Sequence, residues 1–255
     1  ALDYVPAEGA SDWGRDILPE MVKHEDLFAY RSCEYIKDVG TPDRLRRGER
    51  HLREGRVERL ALRNAKPAIF LDRDGVINEE RNGLHRAEDV RLLPGAADAI
   101  RSINDAGFPV ICVTNQPDIA KGFMTLDGLL EVTSEIDHQL ARESGGYLDD
   151  MFFCPHHPEQ GWPGEVAELK ISCDCRKPAD GLLRKAAAVH NIDLAKSWLV
   201  GDRFCDIAAA RSAGASSILV ETGHAGNDVT KFNVEPTVRC KDLASAADHI
   251  LKALA

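Results

Sequence analysis

The chain has 255 residues, 44% hydrophobic and 29% charged, with a formal net charge of −10. This length suits one large or two small folded domains, and the negative charge argues against nonspecific binding to nucleic acid or anionic membranes. The apolar runs are too short to cross a bilayer and no secretory pattern opens the sequence, so a cytoplasmic protein is expected.

Residues 1–66 are rich in Arg and Glu, and 42–53 reads as their one helix, with Thr41 as its cap. This stretch shows no complete core and reads as an N-terminal extension before a domain at 67–255. From there, strands alternate with helices. Residues 68–71 form an apolar run of buried-strand type. Residues 94–106 are helical, with Ile100 and Ile103 on one face and Gly107 as the stop. A strand at 109–113 and a helix at 125–143, ended by Gly145-Gly146, come next. Strands at 148–153, 197–200 and 217–220 and helices at 181–190, 207–213 and 243–253 complete the pattern. The alternation predicts an α/β fold, a Rossmann-like three-layer sandwich with a mostly parallel sheet and no large inserted cap domain.

Strand ends deliver the polar groups. The apolar run at 68–71 stops at Asp72 and Asp74, and Gly75 lets the backbone turn there. The next strand brings Thr114, and a later one brings Asp202, with Asp206 a helical turn beyond. Asp206 caps the helix at 207, orients a metal shell, or does both. Arg176-Lys177-Pro178 adds cations. Ligands of parallel sheets sit beyond the carboxyl ends of the strands, where three carboxylates suit Mg²⁺ and a hydroxyl with an ammonium suits phosphate oxygens.

The seven cysteines are unevenly spread. Cys154-x-His156 and Cys173-x-Cys175 are two short chelating pairs joined by a loop poor in apolar residues. Three thiolates and one imidazole make a closed tetrahedral Zn²⁺ set, so a zinc-stapled loop is expected, with the metal structural. Cys112 reads as core packing, while Cys33, Cys205 and Cys240 lack partners at ligand spacing. His224 reads as part of a surface loop.

Asp72-x-Asp74, Thr114, Lys177 and Asp202-x-x-x-Asp206, in that order, resemble the four motifs of the haloacid dehalogenase superfamily. The strings FLDRDGVIN, VTNQ, CPHH, CDCRKP and VGD, spread over about 67–225, resemble its phosphatases of heptose bisphosphate and histidinol phosphate. The resemblance implies that Asp72 is a nucleophile forming an aspartyl-phosphate and that Asp74 is the acid and base. It implies Mg²⁺ held by the side chains of Asp72 and Asp202 and the backbone carbonyl of Asp74, with Asp206 behind, and phosphate oxygens held by Thr114 and Lys177. Asn115, Gln116, Arg176, Glu80, Gly83 and Arg203 fall where such enzymes meet the rest of the substrate. The Cys-x-His pattern of this group selects His156 over His157. The chain departs from the pattern at Leu84-His85, at Pro117-Asp118 and at Arg203.

The implied reaction is Mg²⁺-dependent removal of the 7-phosphate of D-glycero-D-manno-heptose 1,7-bisphosphate, by a monomer that binds neither nucleic acid nor membrane. Histidinol phosphate or another small phosphomonoester is the alternative substrate, and a zinc-stapled binding module the alternative class. Within the extension, SDWGRDIL (11–18) and YIKDVGTPDRL (35–45) resemble the C-terminal end of sugar-1-phosphate nucleotidyltransferases. The glycine-rich nucleotide loop of those enzymes is missing, which leaves Asp38 orphaned. The resemblance implies a remnant without transferase activity and an intact nucleotidyltransferase as a possible partner.

Overall fold

The structure, a computed structural model, describes residues 1–24, 27, 30–227 and 232–254. Its residues fall into two compact units, Ala1–Arg31 and Ser32–Ala255. The first holds a π-helical turn at Trp13–Ile17, where Asp12 accepts from the Arg15 amide, followed by a single α-helical turn, Leu18–Met21 (α1).

In the second unit the helix expected at 42–53 is present as Pro42–Arg53 (α2), and the Thr41 side chain accepts from the Arg44 amide. Arg56–Leu60 (α3) follows. Residues 32–66, grouped by composition with the extension, pack against the domain beyond them. Cys33 lies in a core cluster with Phe70 and Leu183, and Arg56 donates to the carbonyls of Asn104 and Asp105.

The six strands are Ile69–Leu71 (β1), Val110–Asn115 (β2), Asp150–Cys154 (β3), Trp198–Gly201 (β4), Ser216–Val220 (β5) and Val238–Cys240 (β6). They lie in the order β3-β2-β1-β4-β5-β6, and every pairing is parallel. The helices are Ala96–Ala106 (α4), Leu126–Glu143 (α5), Gly181–His190 (α6), Phe204–Ala213 (α7) and Leu243–Leu254 (α8). Helix α5 starts where the Thr125 side chain accepts from the Gly128 amide, and α4 stops at Gly107 in the left-handed region.

Side chains alternate across β1. Ile69 and Leu71 enter one core with Ile100 of α4, Ile136 of α5 and Ile250 of α8. Ala68 and Phe70 enter the other with Leu183 of α6 and Ala210 of α7. Both faces are therefore covered, and β1 must be apolar throughout. Burying Phe70 alone stabilises the fold by about 2–3 kcal/mol. The layers thus match the expected three-layer sandwich.

Some boundaries differ from those expected. Helix α4 begins at Ala96 because Gly95 takes φ +78°. Helix α7 begins at Phe204, one turn earlier than read, so Asp206 lies inside its first turn and caps it from there, its side chain accepting from the Arg203 amide. Strand β6 was not anticipated: Val238-Arg239-Cys240 is half-exposed and too short to alternate visibly.

The chain moves outward from β1 through β2 to β3, then returns to the other side of β1 with β4. The carboxyl ends of β1 and β4 flank this reversal, the place where a parallel sheet leaves a crevice. Among the described residues no helix is long and apolar enough to cross a membrane.

Candidate active site

The crevice contains a cavity of about 300 Å³ lined by residues from each motif, among them Asp72, Asp74, Thr114, Lys177 and Asp202. Asp72 and Asp74 follow β1, Thr114 ends β2, and Asp202 follows β4. One carboxylate oxygen from each of Asp72, Asp202 and Asp206 lies within 4.8 Å of the others, so residues 130 positions apart in the chain converge. All three acids are buried.

Lys177 is the cation among them. Its Nζ lies 2.9 Å from Asp72 Oδ1 and 2.6 Å from Asp206 Oδ1, and it donates to the Val113 carbonyl at 2.8 Å. Burial alone would pull the ammonium down, but Asp206 and Asp72 outweigh it and hold Lys177 above the ordinary lysine range. Asn115 fixes its backbone: Asn115 Oδ1 accepts from the Lys177 amide and Asn115 Nδ2 donates to the Lys177 carbonyl, each at 3.0 Å. The Asn115 amide is thus spent on positioning Lys177.

Asp74 is held differently. Arg73, only 1% exposed, donates from Nη2 at 2.8 Å and from Nε at 3.1 Å. Asn78 Nδ2 at 2.9 Å and Gln116 Nε2 at 3.1 Å add to this, and Gln116 Nε2 also reaches Thr114 Oγ1. Burial pushes the Asp74 carboxyl up, but Arg73, Asn78 and Gln116 together hold it below the usual carboxylate range. Sequence reasoning passed over Arg73; an arginine between two acids inside an otherwise buried strand end was the available signal.

Asp202 is clasped by the loop after β5. The His224 amide donates to Asp202 Oδ2 at 2.7 Å, the Gly226 amide to the Asp202 carbonyl at 2.7 Å, and Thr222 Oγ1 to the Gly75 carbonyl at 2.6 Å. A Cβ on Gly223 would lie 2.2 Å from Asp202 Oδ2 and 2.6 Å from Gly75 Cα, so only glycine lets this loop close. His224 therefore supports the site from behind its lining residues, contrary to its reading as plain surface loop. Its ring meets Arg203 and lies 3.3 Å from Glu80 Oε2. Arg203 also precedes α7, where its amide donates to Asp206 Oδ2 at 3.1 Å. Arg176 donates to the His156 carbonyl at 3.3 Å, and Gly83 sits on the cavity wall at φ +125°.

The charge balance fits a hard divalent cation. Three buried carboxylates face one ammonium. Burial first, then mutual repulsion, pushes Asp202 and Asp72 above the ordinary range, the signature of acids short of positive charge. All-oxygen donors suit Mg²⁺. The Asp74 carboxylate lies outside this group and faces Arg73.

Cys154, His156, Cys173 and Cys175 form the second cluster. Sulfur–sulfur separations are 3.2–3.5 Å, and His156 Nδ1 lies 3.2 Å from Cys175 Sγ and 3.6 Å from Cys154 Sγ. A tetrahedron around zinc with bonds of about 2.3 Å has edges of about 3.8 Å, somewhat longer than these separations, and the thiolate and imidazole donors are compatible with that ion. His157 is turned away, its ring edge-on to Trp162 at 5.1 Å. Cys175 is followed directly by Arg176 and Lys177, so the cluster anchors the segment that carries the site's cations.

Comparison with known proteins agrees with this architecture. A model described as HAD-hydrolase-like matches residues 174–246. The chain is 42% identical over 158 residues to D-glycero-beta-D-manno-heptose-1,7-bisphosphate 7-phosphatase of Yersinia pestis, covering 62% of this chain and 81% of that one. It is 39% identical over 196 residues to D-glycero-D-manno-heptose-1,7-bisphosphate 7-phosphatase of Thermosynechococcus vestitus, covering 74% of this chain and 98% of that one. The crystal structure of D,D-heptose 1,7-bisphosphate phosphatase from B. bronchiseptica, complexed with magnesium and phosphate, is similar at a TM-score of 0.64 and 33% identity. It covers 73% of this chain and 99% of that one.

Proposed function

The chain belongs to the heptose-1,7-bisphosphate 7-phosphatase family of HAD-like hydrolases, and from that premise we propose that it hydrolyses the 7-phosphate of D-glycero-D-manno-heptose 1,7-bisphosphate. The observation that carries the proposal is the convergence of Asp72, Asp202 and Asp206 on one point beside Lys177, at the reversal of a parallel sheet.

Asp72 attacks phosphorus, the ester oxygen leaves, and an aspartyl-phosphate forms. Asp72, Asp202 and the Asp74 carbonyl, with Asp206 behind them, would hold Mg²⁺, which would supply the charge that lets two anions approach. Thr114 and Lys177 hold the phosphate oxygens as charge builds on them. Asp74 gives a proton to the leaving alkoxide, then takes one from the water that cleaves the acyl phosphate. In the free protein Arg73 holds Asp74 ionised, the form that accepts a proton. A phosphate dianion arriving beside Asp74 raises its proton affinity, which favours the donor form in the first step. Gln116 links Asp74 to Thr114, so the proton carrier and the phosphate-binding hydroxyl are oriented together.

Glu80, Gly83, Arg176 and Arg203 meet the sugar end of the substrate. Cys154, His156, Cys173 and Cys175 would hold a structural zinc ion. Cysteines that form no disulfide among the described residues suit a reducing compartment, the cytoplasm. The likeness of 11–18 and 35–45 to the C-terminal end of sugar-1-phosphate nucleotidyltransferases favours an enzyme of that type as partner to a monomeric phosphatase.

The test is phosphate release from heptose 1,7-bisphosphate and from histidinol phosphate. The proposal expects Mg²⁺-dependent turnover with higher kcat/KM on the heptose, abolished in Asp72→Asn. Full turnover by Asp72→Asn overturns the nucleophile, and preference for histidinol phosphate overturns the substrate.

A further inference from the structure

The cations of the active-site cavity do not all have the same freedom. Lys177 is held by Asp72 and Asp206, Arg73 by Asp74, Arg203 meets His224, and Arg176 donates to the His156 carbonyl. Lys121, which lines the same cavity, is the exception. Its ammonium lies 3.6 Å from Asp118 Oδ1, beyond hydrogen-bond distance, and 5.3 Å from the centre of the Trp162 ring. It makes no hydrogen bond through Nζ among the described residues, although its side chain is only 20% exposed. With one long ion pair and a ring contact as its partners, this ammonium keeps donors available to a ligand entering the cavity.

The surroundings fix that ammonium in place. Asp118 is already bound by His85, Nε2 to Oδ2 at 2.8 Å, so its carboxylate is only partly available to Lys121. His85 and Asp118 are both positions at which the chain departs from the resembled pattern, and the structure brings them together. Trp162 comes from the loop between the zinc-ligand pairs, and its ring meets both Lys121 and Lys170, the latter 4.2 Å from the ring centre. The Val166 amide donates to the Ala120 carbonyl at 2.9 Å, tying that loop to the Lys121 turn.

We infer that Lys121 is a specificity-determining residue that binds a second anionic group of the substrate, remote from the phosphate being cleaved, with Asp118, His85 and Trp162 as positioning residues. This rests on the phosphatase reading of the site and adds the reason for preferring a bisphosphate. The second phosphate supplies the hydrogen bonds that Lys121 lacks in the protein. A substrate without it leaves the ammonium with only the Asp118 carboxylate beside it.

The experiment compares two pairs of substrates: heptose 1,7-bisphosphate with heptose 7-phosphate, and fructose 1,6-bisphosphate with fructose 6-phosphate. In the wild type the bisphosphate of a pair is expected to have the lower KM. Lys121→Met, which keeps the apolar stem, should raise KM for the bisphosphate about 10–100-fold, the loss of a charge-assisted hydrogen bond, with kcat within about threefold. KM for the monophosphate should stay within about threefold, and Lys121→Arg should restore the preference. The inference is overturned if the wild type prefers neither bisphosphate over its monophosphate. It is also overturned if Lys121→Met leaves the preference intact or weakens both members of a pair alike. Faster turnover of the fructose pair than the heptose pair would sink the substrate reading alone, because the ratio within each pair still reports on Lys121.

Discussion

Removing the buried ammonium should separate stability from chemistry. Lys177→Met keeps much of the stem and deletes the charge between Asp72 and Asp206, whose oxygens lie 2.9 and 2.6 Å from Nζ. The lysine side chain is 1% exposed, so no water replaces it. Breaking a buried pair by removing one partner costs about 3–5 kcal/mol, because the remaining charges are left uncompensated. For a domain of this size, 1 kcal/mol corresponds to about 2–4 °C, so Tm in EDTA should fall by about 6–20 °C. Added Mg²⁺ supplies positive charge to the same carboxylates, so it should recover more Tm in the variant than it adds to the wild type. Phosphatase activity should not return, because the donor to the phosphate oxygens is gone. Calorimetry with and without Mg²⁺, alongside phosphate release, checks both halves. A variant that melts within about 2 °C of the wild type in EDTA would refute the charge accounting, and one that turns over normally would refute the assigned role.

Protein purified without chelator should carry about one tightly held zinc ion per chain. Cys173→Ala should lose it and expose the 158–171 loop to protease, as metal analysis and limited proteolysis would show. Asp149, half-buried, has its carboxyl pushed up to about 6, by burial first and against the Val110 amide that it accepts from. A raised folded-state value means that the folded protein holds this proton more tightly than the unfolded chain. The destabilising contribution is then complete above about pH 6 and vanishes as pH falls to the ordinary carboxyl range. Asp149→Asn should therefore gain stability relative to the wild type at pH 7 compared with pH 4.5, read from urea midpoints. An equal difference at both pH values would contradict this.

The arrangement also separates tasks within the site. Asp74 is tied to Arg73, Asn78 and Gln116, while Asp72 and Asp202 crowd a single point with too little positive charge. Two acids two residues apart thus sit in opposite electrostatic settings. One is kept ionised for proton transfer, and the other is left needing a cation before it can meet a phosphate.

Much of this was written locally in the chain. The apolar run before Asp72, the glycine stop of α4, the Thr41 and Thr125 caps and the two chelating pairs depend on neighbours within a few residues. The order of the motifs, with strands alternating with helices, sufficed to place three acids at one rim. What only the folded chain decided were contacts between distant segments whose sequences carry no shared mark. Asn115 clamps the Lys177 backbone, His224 lends its amide to Asp202, and His85 reaches Asp118. Helix α7 starts a turn early because Asp206 reaches back to the Arg203 amide, and β6 exists because β5 offers an edge to pair with. Periodicity and capping are short-range properties of a sequence. The partner of a buried polar atom is set by which strand ends the sheet order makes adjacent.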